Sequence, residues 1–228
     1  MTVGDAGHRA NSRLISAPGT TDLTPRAPRK RPSQGRSQHT VDVIVEAATR
    51  IFDEVGFQAT TNQIAELAGV SIGSLYQYFP NKLALITELH ERHRALVAKS
   101  VLGVLDSMGS RPLDEMVLRV VECSLSAHRD HPGLQRVLHA QLPQLSQQDD
   151  ASPAKQVVGR RVYLLLQAHL PGVDQETLSL AVQTLLTMCE CLVHDVVLNP
   201  RAEANDPATA RNIAHALCGY LDRLALTR

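Results

Sequence analysis

The segment Thr60–Lys82 (TTNQIAELAGVSIGSLYQYFPNK) holds the densest set of side chains suited to a polyanion. Ser71, Gly73 and Ser74 are small and stand where a helix would begin. There, unpaired backbone N–H groups and the positive end of the helix dipole can meet a phosphate. Small side chains also let such a helix approach a groove floor closely. Gln77 can make a bidentate contact to adenine, and Ile72 and Tyr76 can pack on thymine methyl groups. Thr60, Thr61, Tyr78 and Lys82 lie on the same short segment, and Thr61, Tyr78 and Lys82 suit phosphate oxygens through hydroxyl or ammonium groups. For Tyr76 the alternative is packing against Lys82 or the preceding helix. A second cation cluster, Arg29, Lys30 and Arg31, falls within Pro25–Arg36 (PRAPRKRPSQGR).

Side chains that read a duplex must project from a rigid helix, and the flanking residues predict one. Thr60 can cap a first helix, with Gln63 reaching back three residues later as a capping box does. Ile64, Ala65, Leu67 and Ala68 give that helix an apolar face. Gly69 supplies the left-handed residue that turns the chain. Ser71 caps a second helix, running roughly to Phe79, that buries Leu75 and Phe79 at i, i+4. Pro80 stops it, and Asn81 caps a third. A preceding helix, Thr40–Val55, carries an apolar stripe at Ile44, Ala47, Ala48, Ile51, Phe52 and Val55. It ends at Gly56, with Phe57 tucking back. Two helices, a Gly turn and a small, polar, aromatic outer face make a DNA-binding helix-turn-helix.

This stretch resembles the TetR/AcrR family of one-component transcriptional regulators. The matching residues are A-x-x-x-F-x-x-x-G-F (Ala48, Phe52, Gly56, Phe57), T-T-x-x-I-A-x-x-A-G-V-S (Thr60–Ser71) and G-x-L-Y-x-Y-F-x-x-K (Gly73–Lys82). They cover about a quarter of the chain. The resemblance implies an all-α fold and a DNA-binding head on a helical body that encloses a small-molecule effector pocket. Met116, Glu122, His128, Tyr163, Gln167, Met188 and Cys189 are the pocket candidates, being polar or soft residues on otherwise apolar helices. Each taken alone reads first as an ordinary core or surface residue. The resemblance further implies a long helix from Lys82 to about Met108 linking head to body.

Composition sets the remaining bounds. In the 228 residues, aromatics make up 3% and Trp is absent, so the core must be mostly Leu, Val and Ala, a composition that favours helix. Formal net charge is zero, but residues 1–39 hold seven Lys/Arg against two Asp, a net of +5 that leaves −5 on the remainder. A basic arm on a mildly acidic body suits a nucleic-acid partner; the bland alternative is a solvated tail. The predicted organisation is a disordered arm (1–39), a head (40–84) and an effector-binding and dimerisation body (85–228). Body helices are read at Leu113–His128, Leu134–Leu142, Ala154–Leu170, Asp174–Leu198 and Asp206–Leu226, with a polar loop over Pro143–Pro153.

One head holds few contacts, and helix-turn-helix proteins commonly dimerise to place two recognition helices on successive major-groove turns. The last two helices are the expected homodimer surface, through Leu178, Val182, Leu185, Leu186, Leu192, Val193 and Val196 with Ile213, Leu217, Tyr220, Leu221 and Leu224. The four cysteines lie in apolar segments and read as reduced thiols of a cytoplasmic protein. No run of about 18 apolar residues is evident, so no membrane span is expected. The spacings Cys191/His194 and His90/His93 could each co-ligate a metal, but no tight C-x-x-C or H-E-x-x-H set occurs. No cofactor, metal or catalytic nucleophile–base pair is therefore expected. The partners are a double-stranded, near-palindromic operator and a small molecule. The competing reading is a helical metal- or ligand-binding protein, or an enzyme, with an incidental tri-helical head.

Overall fold

A computed structural model describes residues 35–141, 152–199 and 207–226, and among them every regular element is helical. In chain order these are α1 (Gly35–Val55), a 3-10 turn (Gly56–Gln58), α2 (Thr61–Leu67), α3 (Ile72–Tyr78) and α4 (Lys82–Ser107). They continue with α5 (Leu113–Arg129), α6 (Pro132–Ala140), α7 (Pro153–His169), α8 (Gln175–Leu198) and α9 (Pro207–Leu226).

The head forms as its caps dictate. Thr60 accepts from Gln63 N at 3.3 Å, and the Gln63 side chain accepts from Thr60 N at 2.9 Å. Ser71 Oγ accepts from Ser74 N at 3.0 Å, and Asn81 Oδ1 from Ala84 N at 2.8 Å. Each pairing satisfies a first-turn N–H that has no intrahelical partner. Gly69 takes φ +65°, a conformation that a Cβ would penalise, and so swings α3 across α2. Ile44, Ala48, Phe52, Ile64, Leu75, Phe79, Leu85 and Ile86 fill the core beneath, all at or near zero exposure. Leu67, expected to face inward, is 49% exposed. Phe57 is likewise exposed, under the Lys82 ammonium at 4.1 Å from its ring centre rather than tucked against α1.

Three proline-led starts differ from the sequence reading. Pro132 and Pro153 open α6 and α7 instead of closing the loops before them, and Pro207 opens α9. Proline fits the first helical turn because its missing N–H would have had no partner there. The first helix also begins at Gly35, five residues before the predicted start, through polar positions that carry no apolar period. The predicted loop over 143–153 lies largely outside the described residues.

The head does not end at the start of α4. Leu134, Val137 and Leu138 of α6 join the same core, so α6 closes the head from the body side. The body's main core is built by α5, α7, α8 and α9 around Val121, Leu125, Leu166, Leu178, Val182, Ile213 and Leu217. A smaller cluster ties α4 to α7 through Val101, Leu105 and Val158. Thus α4 spans both regions, fixed to α1 by Arg92, whose guanidinium lies 2.9 Å from Asp42 and 2.7 Å from Glu88.

Candidate nucleic-acid interface and ligand cavity

The outer face of α3 gathers Ser71, Ile72, Gly73, Tyr76 and Gln77, all exposed, with Ser74 half-buried beside them. The Ser71 and Ser74 hydroxyls lie 2.8 Å apart. Tyr76 is 43% exposed, and its hydroxyl sits 3.0 Å from Thr61 Oγ1, joining the reading helix to the start of α2. Two positions expected at phosphates are turned elsewhere. Tyr78 packs partly into the head core. Lys82 Nζ donates to the carbonyls of Phe57 (2.8 Å) and Ala59 (3.2 Å), clasping the turn after α1. Burial lowers the Lys82 pKa. Arg29, Lys30 and Arg31 lie outside the described residues.

In the body, a cavity of about 170 Å³ opens where α4, α5, α6, α7 and α8 meet. Of the seven pocket positions expected from sequence, His128 and Cys189 line it. Met116 is buried in the fold, and Tyr163 and Met188 pack against the body's main core. Glu122 pairs with Arg119 at 2.7 Å, and Gln167 faces solvent. None of these five contributes to the cavity wall.

Histidines dominate the polar end of this wall. His93 and His128 meet edge-on with ring centres 4.5 Å apart, His128 and His194 at 5.0 Å, and His139 and His194 at 5.5 Å. His128 Nδ1 is 2.7 Å from the Ser124 carbonyl, which can only accept, so that nitrogen carries the proton. His128 Nε2 is then the acceptor for His194 Nε2–H at 3.2 Å. The Gln135 amide nitrogen stands 3.4 Å from the ring nitrogens of His93. Desolvation, with the neighbouring imidazoles, pulls His93 down to about 3 and His194 down to about 4. Burial lowers His128 as well, against its bond to Ser124. His93, His128 and His194 are therefore neutral near pH 7. Burial pushes the Cys189 thiol up to about 11, so it stays protonated. Among the described residues no group of three His, Cys, Asp or Glu could hold a metal ion.

The sequence carries a signal for this cluster beyond the His90/His93 spacing noted for a metal. His90, His93, Arg94, Val97 and Val101 recur at helical spacing on α4, which puts the histidines on one face with the aliphatic residues.

A second contact joins the two regions. Asp53, in the last turn of α1, accepts from Gly133 N at 2.7 Å and Leu134 N at 3.2 Å. It supplies the cap that His131, the residue preceding α6, does not. The backbones meet so closely that a Cβ on Gly133 would lie 2.0 Å from the Asp53 carbonyl oxygen. Only glycine fits there.

Comparison with known proteins gives two family matches. The model described as "Bacterial regulatory proteins, tetR family" matches residues 44–89, and "Tetracyclin repressor-like, C-terminal domain" matches residues 112–221. Over 100 residues the chain is 43% identical to the HTH-type transcriptional regulator TtgR of Pseudomonas putida, covering 39% of this chain and 48% of that protein. Over 113 residues it is 26% identical to the HTH-type transcriptional regulator AcrR of Shigella flexneri, covering 48% and 53%. The chain spans about half the length of these curated relatives. A TetR-family regulator from Streptomyces coelicolor superposes with a TM-score of 0.60 at 24% identity, covering 82% of this chain and 98% of that one. A TetR-family regulator described as putative, from Mesorhizobium loti MAFF303099, gives 0.63 at 18%, with the same coverage. These two structures establish a shared fold.

Proposed function

The chain belongs to the TetR family of bacterial regulatory proteins, and from that premise we propose that it is a cytoplasmic, ligand-responsive repressor that binds a near-palindromic operator as a homodimer. The carrying observation is the α3 face: four exposed small, polar or aromatic residues and the aliphatic Ile72, on a helix capped by Ser71 and tied to α2 through Tyr76 and Thr61. Bound in a major groove, that helix presents Gln77 and Tyr76 to base edges and its N-terminal N–H groups to phosphate. Arg29, Lys30 and Arg31 fall four to six positions before Gly35 in the sequence, and we assign them to the flanking DNA backbone. The protein acts by binding alone, with no catalytic step and no cofactor.

Leu178, Val182, Leu185, Val193, Ile213, Leu217 and Leu221 are buried within one chain and cannot serve a partner. Yet α8 is long and apolar enough to cross a membrane by length and composition, contrary to the sequence reading, and only 28% of its most apolar stretch is buried. Leu180 is 63% exposed and leads a stripe through Thr184, Thr187 and Cys191. Asn212, Ala216 and Gly219 form a comparable exposed stripe on α9. We place the second copy of the chain on these two stripes, where small residues allow close helix approach.

Ligand entry into the cavity between α4 and α8 would shift the population toward a state with the heads out of register. Such an effector must favour that state by a few kcal/mol to matter. The test is enrichment of duplexes from a random pool by the full chain. An inverted repeat should emerge, and Tyr76→Ala should lose it while remaining dimeric. Failure to enrich any sequence, or equal enrichment by the variant, overturns the reading.

A further inference from the structure

The cavity has two unlike ends. On α4 the wall passes from His90, His93 and Arg94 to Val97, Ala98 and Val101. The imidazole contacts gather His93, His128 and His194 at one pole. Val101 and Val158, with Val97, Val120 and Leu186 against them, form a single aliphatic cluster at the other. From His93 to Val101 is about 12 Å along the helix axis at a rise of about 1.5 Å per residue. The volume, about 170 Å³, is slightly larger than the roughly 150 Å³ engineered cavity that takes up benzene.

The charge of the wall selects among ligands with a polar head and an apolar body. The lining residues include two cations, Arg94 and Lys155, and one acid, Glu190. The Arg94 side chain is only 14% exposed and lines the cavity, with Glu91 at 3.9 Å. No Phe, Tyr or Trp lines the space, so a cationic ligand has no aromatic face to rest on. A wholly apolar ligand would displace water from the polar end of the wall and return no hydrogen bond to the imidazole edges there. A carboxylate meets both needs.

The proton positions say how it is received. With Nδ1 of His128 committed to the Ser124 carbonyl and Nε2–H of His194 committed to His128, the pair has one unprotonated nitrogen outside that relay, His194 Nδ1. One further proton can enter there without breaking either bond. Desolvation by burial, and beside it His128, His139 from α6 and His90 from α4, disfavours a positive charge on His194 when the cavity is empty; His93 and Arg94 from α4 and Lys155 from α7 stand on the same wall. Glu190 and the protonated Cys189 stand on its own helix, α8. An anion brought against the cluster reverses that balance.

Resting on the reading of this cavity as an effector site, we propose that its ligand is a small organic monocarboxylate with an apolar body about the size of a benzene ring, bound at the His93–His128–His194 pole together with one proton from solvent. The carboxylate enters as the anion, the proton is taken from buffer, and the product is an imidazolium–carboxylate pair.

Calorimetric titration of the full chain with benzoate and with hexanoate, in phosphate and in Tris at matched pH, tests this without DNA. Benzyl alcohol and benzylamine serve as neutral and cationic counterparts. The expected result is saturable binding of a carboxylate with uptake of about one proton, and an affinity that falls about tenfold per pH unit across the pH range in which that uptake is seen. His194→Gln should abolish the uptake and weaken binding at least tenfold, with helix content and thermal midpoint checked against the parent; Val158→Phe, which fills the apolar pole, should block binding with the histidines intact. Equal binding of benzyl alcohol without proton uptake, preferential binding of benzylamine, or no binding of either acid would overturn the proposal. If the acids fail while the chain still enriches an operator, the ligand class alone is wrong; if both fail, the regulatory reading falls with it.

Discussion

Removing the Asp53 carboxylate should loosen the joint between head and body by a measurable amount. Asp53→Ala leaves the N–H groups of Gly133 and Leu134, now 2.7 and 3.2 Å from Oδ1, without their acceptor. Loss of a helix N-cap costs about 1 kcal/mol, and loss of a negative charge at the positive end of α6 adds about 0.3–1 kcal/mol. The sum is about 1.5 kcal/mol, which for a chain of this size lowers the thermal midpoint by about 3–6 °C. Asp53→Asn keeps one acceptor oxygen and should lose about 0.5 kcal/mol by the same reasoning. Gly133→Ala should be worse than either, because the new methyl meets backbone at 2.0, 2.7 and 2.9 Å rather than a side chain that can turn away. Urea unfolding of the three variants is the assay. α6 also carries Gln135, Leu138 and His139 into the cavity wall, so Asp53→Ala should retain ligand binding yet release operator less on ligand addition. Stability equal to the parent, or a Gly133→Ala effect smaller than that of Asp53→Ala, would refute the role of this contact.

Three further outcomes are expected. Lys82→Met should destabilise the head by about 1 kcal/mol by freeing two carbonyls, with no change in the slope of log affinity against log salt; a slope smaller by about 0.9 would return Lys82 to the phosphates. Acid should destabilise the fold through the cavity histidines. Between pH 6.5 and about 4 the unfolded chain binds protons that folded His93 and His194 refuse, so stability falls with pH in that window, by up to about 1.4 kcal/mol per pH unit for each. Unfolding at pH 7, 5.5 and 4.5 should show this, and His93→Phe should flatten it; an equal slope in the variant would discount the cluster. Gly69→Ala should cost about 1–2 kcal/mol, since its φ of +65° is strained for any residue with a Cβ, and an unaltered urea midpoint would contradict the turn geometry.

The head was legible because its determinants are local. Thr60 with Gln63, Ser71, Asn81 and Gly69 each act within a turn of their own position, so spacing alone revealed them. The cavity was not, because its wall depends on contacts between residues far apart in the chain, such as His93, His128 and His194. Polar character on an apolar helix found His128 and Cys189 but equally chose Glu122, which is satisfied by a neighbour three residues away. The Asp53 contact left only an indirect trace: α6 starts at a proline after His131, with no local cap. Apolar stripes on α8 and α9 were read as a partner surface, though most of their residues serve their own chain's core.

Reading of a duplex by paired α3 helices is tested most directly by titrating an enriched site with the full chain at 50 and 200 mM salt while counting bound chains by mass. Two chains per duplex are expected, on half-sites about 10 base pairs apart, with affinity falling about a thousandfold or more across that salt range. A single bound chain, or an affinity indifferent to salt and to Tyr76→Ala, would contradict it.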